Sequence, residues 1–366
     1  MKNAKEKIFS CIKILFLIFT AVLCLVRTEM INTAVSGAVE RCLTVIIPSL
    51  YAMMIVAPLL IKSGVIGCIS GFFGNIGKIL FGMENTVFSI FLFSMLAGYP
   101  TGAKMLLTAH ENGLVSKKRA EIFCGLCYGA GSAFVFGCIS GRLFSITSVG
   151  KIIIISNITA NILLAFVISF FTRKECSSQK YTSGIKITSD MLTECVTGGG
   201  RSIAEICFMV TAFAVFTEIL SFSGIIPHIA TAISAITELP PSDSAQILCA
   251  FLDVTAVNGF SYGNFALLPY LSALVSFGGV CVIFQISAVI SGKLSVKPLV
   301  IIRLSSALLS FLICKIITPL MLSDEVISTA SVNVRTHQAN SPVPSLMLII
   351  MTLMLFSEFG KISREV

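Results

Sequence analysis

Gly98-Tyr99-Pro100-Thr101-Gly102 closes a short apolar stretch, residues 85–97, and Gly259-Phe260-Ser261-Tyr262-Gly263 closes another, residues 245–257. Each pentapeptide reads Gly, aromatic, small or turn residue, one more residue, Gly. Neither preceding stretch reaches the roughly 20 residues that a helix needs to cross a bilayer. The second also carries Asp253. Paired short segments with Gly/Pro interruptions, one in each half of a membrane chain, are the best sequence pointer to the binding site of a transporter; the other reading is a tight loop between two helices at the membrane surface.

The rest of the composition places the chain in a membrane. It is 55% hydrophobic and 12% charged, with a mean hydropathy of +0.95, against about 25% charged residues in soluble domains. Apolar runs at 9–26, 42–61, 122–140, 148–171, 203–222, 265–290, 298–321 and 343–357 carry few or no charges. Counting full and half spans, an all-α polytopic membrane protein with about nine to twelve membrane segments is expected. Lys2, Lys5 and Lys7 before the run 9–26 imitate a secretory signal. That run is longer than the usual signal core of about 7–15 residues, so it reads as a retained first helix.

The net charge of +8 does not point to nucleic acid, because the basic residues sit in short connections and near the chain ends. That is the pattern of cytoplasmic segments. The thirteen cysteines are scattered through apolar runs and do not form a disulfide framework. Cys124 and Cys127 have the spacing of a zinc half-site but lack a second pair and a neighbouring histidine, so they read as small packing residues. No metal and no cofactor are expected. His-Glu-x-x-His, P-loop and Gly-x-Ser-x-Gly patterns are absent, which argues against an enzyme.

Internal similarity organises the chain. Ser63-Gly-Val-Ile66 recurs as Ser223-Gly-Ile-Ile226, the Gly-aromatic pentapeptide recurs, and Ser140-Gly-Arg-Leu143 recurs as Ser291-Gly-Lys-Leu294. The Ile-rich start at 151–155 recurs at 298–302, each followed by a helix dotted with small polar residues. The order is the same throughout, which supports a duplicated unit. The expected division is a first membrane helix (1–30), repeat one (42–171), a polar cytoplasmic connector (172–199), repeat two (200–321), an external loop (322–342) and a C-terminal helix with tail (343–366). A basic connector after repeat one and a non-basic loop after repeat two put equivalent ends on opposite faces, an inverted topology with broken helices.

Broken helices persist in hydrocarbon only inside protein or beside a wet cavity. Pro100 suits the start of a new half-helix, whose N-terminal amides favour an anion. The expected solute-binding residues are therefore Gly98, Tyr99, Pro100, Thr101 and Gly102, with Asn258, Gly259, Ser261, Tyr262 and Gly263. Asp253 is the candidate for coupling-ion binding, since an intramembrane carboxylate marks an ion path or a structural pair; Arg303 is its candidate partner in the latter case. Gly125, Gly129, Ala130, Gly131 and Ser132, and later Gly278 and Gly279, read first as small residues for close helix packing. Gln285 is a further polar group near the second break.

Ala97-Gly-Tyr-Pro-Thr-Gly-Ala-Lys104 resembles the Gly-Tyr-Pro-small-Gly-Ala-Lys signature of the YlbJ-like sporulation integral membrane proteins, which belong with the Gate, or nucleoside-recognition, domain families. Ile47-Pro-Ser-Leu50 and the region from Ser276 to Arg303 are similar to that family too. Where the family tends to carry an Asn/Ser/Pro-containing segment, this chain has the less polar Cys124-Gly-Leu-Cys-Tyr-Gly-Ala-Gly131. The resemblance implies an inner-membrane protein of the mother cell or forespore in an endospore-forming bacterium. It also implies export of a small anion, with dipicolinate as the candidate. The expected function is a secondary transporter whose partners are a small-molecule anion and the lipid bilayer. The alternative is a non-transporting structural or assembly protein of the spore envelope.

Overall fold

A long apolar stretch in a membrane can pair its backbone amides and carbonyls within itself only as a helix, and the computed structural model is built that way. It describes residues 14–15, 17–72, 76–172 and 185–322. Among these there is no strand. Five helices are long and apolar enough to cross a membrane, and four shorter apolar ones accompany them. The expected loop 322–342, the helix at 343–366 and the basic stretch 173–184 lie outside the described residues.

The elements in order are α1 (Leu17–Val26), α2 (Thr28–Lys62), α3 (Val65–Phe72), α4 (Ile76–Phe81), α5 (Asn85–Ala97), α6 (Thr101–Glu111), α7 (Lys117–Leu126), α8 (Ser132–Phe144), α9 (Thr147–Thr172), α10 (Ser189–Phe222), α11 (Ile225–Thr237), α12 (Pro241–Leu252), α13 (Leu268–Phe277), α14 (Gly279–Ile290) and α15 (Lys297–Leu322). Two expected boundaries move. Residue 42 lies inside a helix, because α2 runs unbroken from Thr28 through a wide π-type turn at Cys42–Ile46. The stretch 172–199 is not all connector, because α10 begins at Ser189, where the Thr188 hydroxyl accepts from the Met191 amide (3.3 Å).

Two sub-bundles make the body. In one, α9, α13 and α15 pack together with α7 against α15. Arg303 and Ser306 of α15 bond to Asn161 of α9. Further along, Ser310 meets Ser272, to which Asn157 donates. The register falls on α9 as it rises on α15, so the two 26-residue helices run antiparallel. In the other sub-bundle α2 and α10 lie antiparallel, with Arg27 over Phe222, Cys42 beside Cys207 and Lys62 paired with Glu194. Between the sub-bundles stand α6 and α14.

One buried ion pair ties three helix ends. Arg119, at the start of α7, is 1% exposed and meets Glu84, before α5, at 2.6 Å. It also donates to the Gly82 carbonyl (2.7 Å) and to the Thr172 carbonyl at the end of α9 (2.9 Å). Removing one partner of such a pair leaves a buried charge, at a cost of about 3–5 kcal/mol. Glu84→Ala is therefore expected to lower the melting temperature in detergent sharply. Exchange of the exposed Lys151 for Ala is expected to leave it unchanged.

Candidate functional site

Four interruptions of the helices meet at one level. The first is Gly98–Pro100. Gly98 ends α5 at φ +89°, ψ 159°, a backbone region closed to side chains with a Cβ. The Tyr99 amide then donates to the Gly129 carbonyl (2.8 Å), and Pro100, reached through a cis bond, precedes α6. The second is Cys127–Gly131, between α7 and α8. Its Gly131 (φ +62°) crosses Gly98 so closely that a Cβ on Gly98 would stand 3.1 Å from the Gly131 Cα.

The third is Gly278–Gly279, between α13 and α14. The Tyr128 hydroxyl reaches across from the second break and donates to the Phe277 carbonyl (2.8 Å). The fourth is Asp253–Thr255. A Cβ on Gly279 would stand 2.9 Å from the Val254 nitrogen. Each break thus touches the next, and residues from both halves of the chain form one layer.

A fully buried cation holds the middle of this layer. Arg303 donates to Asn161 Oδ1 (2.6 Å) and to the Ser276 carbonyl (3.3 Å). Its guanidinium lies 4.7 Å from the Tyr128 ring centroid, and Tyr99 packs on Tyr128 at the same centroid distance. Asn161 donates to the Tyr128 carbonyl (3.0 Å), and Ser306 and Ser276 complete the set.

Beside the layer lies a cavity of about 90 Å³. Mostly apolar side chains line it, and its polar groups come from Ser49, Tyr99, Ser132, Thr255 and Gln285. Ser132, Ala133 and Phe134, the first residues of α8, are on its wall. The first helical bond there runs from the Val135 amide to the Gly131 carbonyl (3.2 Å), so the three preceding amides have no acceptor within the helix. The Tyr99 hydroxyl is also buried without a partner among the described residues.

The structure brings Gly98 and Tyr99 to this wall and sets Pro100, Thr101 and Gly102 behind it. Thr101 is fully buried and donates to Met54 Sδ (3.7 Å). Gly102 is filled against the Cys127 carbonyl. The second pentapeptide lies elsewhere. Tyr262 is 61% exposed and donates to Ser145 Oγ (2.9 Å), and the Gly263 amide donates to the Leu143 carbonyl (3.0 Å). Ser261 bonds Asp243 (2.7 Å), and Gly259 sits against the Gln246 side chain. Asn258 belongs to the 3-10 turn Val254–Gly259; its side chain is outside the described set.

The break of the second half that reaches the cavity is Val254–Thr255, five residues upstream of the glycines. Asp253 makes it: its carboxylate accepts from the Thr255 amide (3.0 Å) and hydroxyl (2.7 Å). Asp253 does not pair with Arg303, whose bonds go to α9 and α13. The stretches Gly129–Ser132 and Gly278–Gly279 are breaks as well as packing points. Tyr128 and Asn161 carried no sequence signal beyond being polar groups near small residues. No metal-holding cluster of His, Cys, Asp and Glu occurs among the described residues.

Comparison with family models, with curated proteins and with solved structures returns no match. Fold and composition define the class by themselves, an all-helical protein of membrane-spanning character.

The packing at the breaks has a direct test. A Cβ at position 102 would coincide with the Cys127 carbonyl oxygen and press on Ser94, whereas one at Gly71 meets nothing within 4 Å. Overpacking costs about 1–3 kcal/mol or more where backbone is the obstacle. Gly102→Ala is expected to lose folded protein in size-exclusion profiles, and Gly71→Ala to match the parent.

Proposed function

We propose that the protein is a secondary carrier that moves a small organic anion across a bacterial membrane, with dipicolinate as the candidate solute. The observation that carries this reading is the cavity where breaks from both halves converge. Three amides without a helical acceptor at the start of α8 and the Tyr99 hydroxyl offer donors to a carboxylate there. A helix N-terminus adds a partial positive charge. Irregular backbone at membrane depth is tolerated where it lines a cavity, and carriers place their solute at such discontinuities.

The two halves read as inverted repeats. Both α7 and α13 have ten residues, both end in a break, and each is followed by a short helix and then a 26-residue helix. The antiparallel course of α9 and α15 is what inversion requires. Asp253 remains the candidate for ion coupling, since it is a buried carboxylate with no ion-pair partner among the described residues. Placement in the membranes of a sporulating cell rests on the resemblance of residues 97–104 to the YlbJ-like proteins.

The test is uptake of labelled pyridine-2,6-dicarboxylate into vesicles containing the purified protein. Saturable, protein-dependent uptake is expected. A hydrogen bond to a charged group is worth enough that Tyr99→Phe should raise the apparent KM about tenfold while leaving the melting temperature intact. A folded, correctly inserted protein that moves neither this anion nor other small carboxylates would instead be a scaffold of the envelope.

A further inference from the structure

Helix α6 starts behind the wall of the central cavity and ends in a second, larger pocket between α2, α6, α10 and the end of α14. Its volume is about 530 Å³, inside the range of roughly 300–1,000 Å³ common for small-molecule sites. Where the central cavity is apolar, this pocket is lined by charges. Three of its four cations are neutralised in place. Lys62 pairs with Glu194 (2.5 Å), Lys293 with Glu111 (2.5 Å) and Arg201 with Glu205 (3.1 Å).

Lys104 is the exception: among the described residues no carboxylate lies within ion-pair distance of it. Its ammonium donates to Ser202 Oγ (3.2 Å), and Ser202, 2% exposed, donates in turn to the Gly198 carbonyl (2.9 Å). An ammonium has three donors, so Lys104 keeps two for a ligand. The pocket therefore carries one uncompensated positive charge with hydrogen-bonding capacity, half-buried on the helix that begins at the first break.

The pocket and the central cavity share their walls. On α10, Glu205 lines the pocket and the next residue, Ile206, lines the cavity. On α14, Val289 faces the pocket and Gln285, one turn earlier, the cavity. On α6, Lys104 stands one turn from Thr101, about 5 Å along the axis. Met54 and Thr101, both fully buried and bonded to each other, fill that turn.

We propose that this pocket is a second solute site, where a small soluble anion bearing a carboxylate docks on the Lys104 ammonium beside the Ser202 hydroxyl before it reaches the central cavity. The proposal rests on the reading that the transported solute is an anion. The probe is pyridine-2,6-dicarboxylate, titrated calorimetrically into the full-length protein in detergent. Loss of a charged hydrogen-bond donor should weaken binding in Lys104→Gln about tenfold or more, whereas Lys104→Arg should stay within about threefold of the parent. Lys297→Gln removes an exposed ammonium outside the pocket and is expected to bind like the parent. Melting curves of each variant separate lost binding from lost folding.

The proposal is overturned if the parent does not bind the dicarboxylate, if Lys104→Gln binds it normally, or if Lys297→Gln loses as much. A Lys104-dependent response to phosphatidylglycerol alone, with none to the dicarboxylate, overturns it in favour of a lipid headgroup. Lys104-dependent binding without vesicle uptake would retain the pocket and remove the carrier reading. Uptake with an unchanged KM in Lys104→Gln would do the reverse.

Discussion

A helix that stops inside a membrane leaves its last carbonyls without partners, and the structure depends on how those ends are satisfied. The ends of α7 and α13 converge on α15, where Arg303 donates to the Ser276 carbonyl and holds Asn161, which donates to the Tyr128 carbonyl. A helix C-terminus carries roughly half a negative charge, so two of them balance one guanidinium. That explains how Arg303 can be fully buried with no carboxylate beside it. A buried polar network of this kind stabilises when every member is satisfied and is costly when one is missing. Here Arg303 Nε is left without a partner, a cost that the two ends and the Tyr128 ring offset.

This arrangement frees the opposite ends of the half-helices for other use. Beyond the Tyr128 carbonyl, bonded to Asn161, and the Ser276 carbonyl, bonded to Arg303, the chain continues as α8 and α14 with amides first. Ser132, Ala133 and Phe134 of α8 line the central cavity, as do Val254 and Thr255 of the turn that Asp253 caps. The first turn of a helix and a turn capped by an acidic side chain thus border one small apolar space. In such surroundings electrostatic interactions are far less screened than in water.

Much of this was legible beforehand. Residues 85–97 form a helix with those bounds, because Gly98 and Pro100 forbid its continuation. The helical class followed from hydropathy alone. The second break was read at the wrong level for a physical reason. Gly259 and Gly263 look like Gly98 and Gly102, but glycines also serve surface turns, and Tyr262 ends up bonded to Ser145 at the outside. The break that reaches the cavity has neither Gly nor Pro. It is an Asx-type turn at Asp253-Val254-Thr255, so the acidic residue is the visible signal, and its place in the turn is what the sequence does not show. The Arg303 network joins residues far apart in the chain, and no local pattern reports which carbonyl ends a guanidinium will find. The full length of α2 is hidden in the sequence because its first half, with Glu29, Glu40 and Arg41, is too charged to read as part of a span.

That long helix has a mechanical consequence. At 1.5 Å per residue the 35 residues of α2 and the 34 of α10 make two rods each about 50 Å long. A bilayer is about 30 Å thick in its hydrocarbon and about 40–45 Å with its headgroups. Fitting a 50 Å rod into the hydrocarbon by inclination alone would need about 55°, beyond the usual range of up to about 40°. The antiparallel pair must therefore stand proud of the lipid as a rigid ridge. Thicker or thinner lipid then moves the waterline along these two helices before it buries their ends.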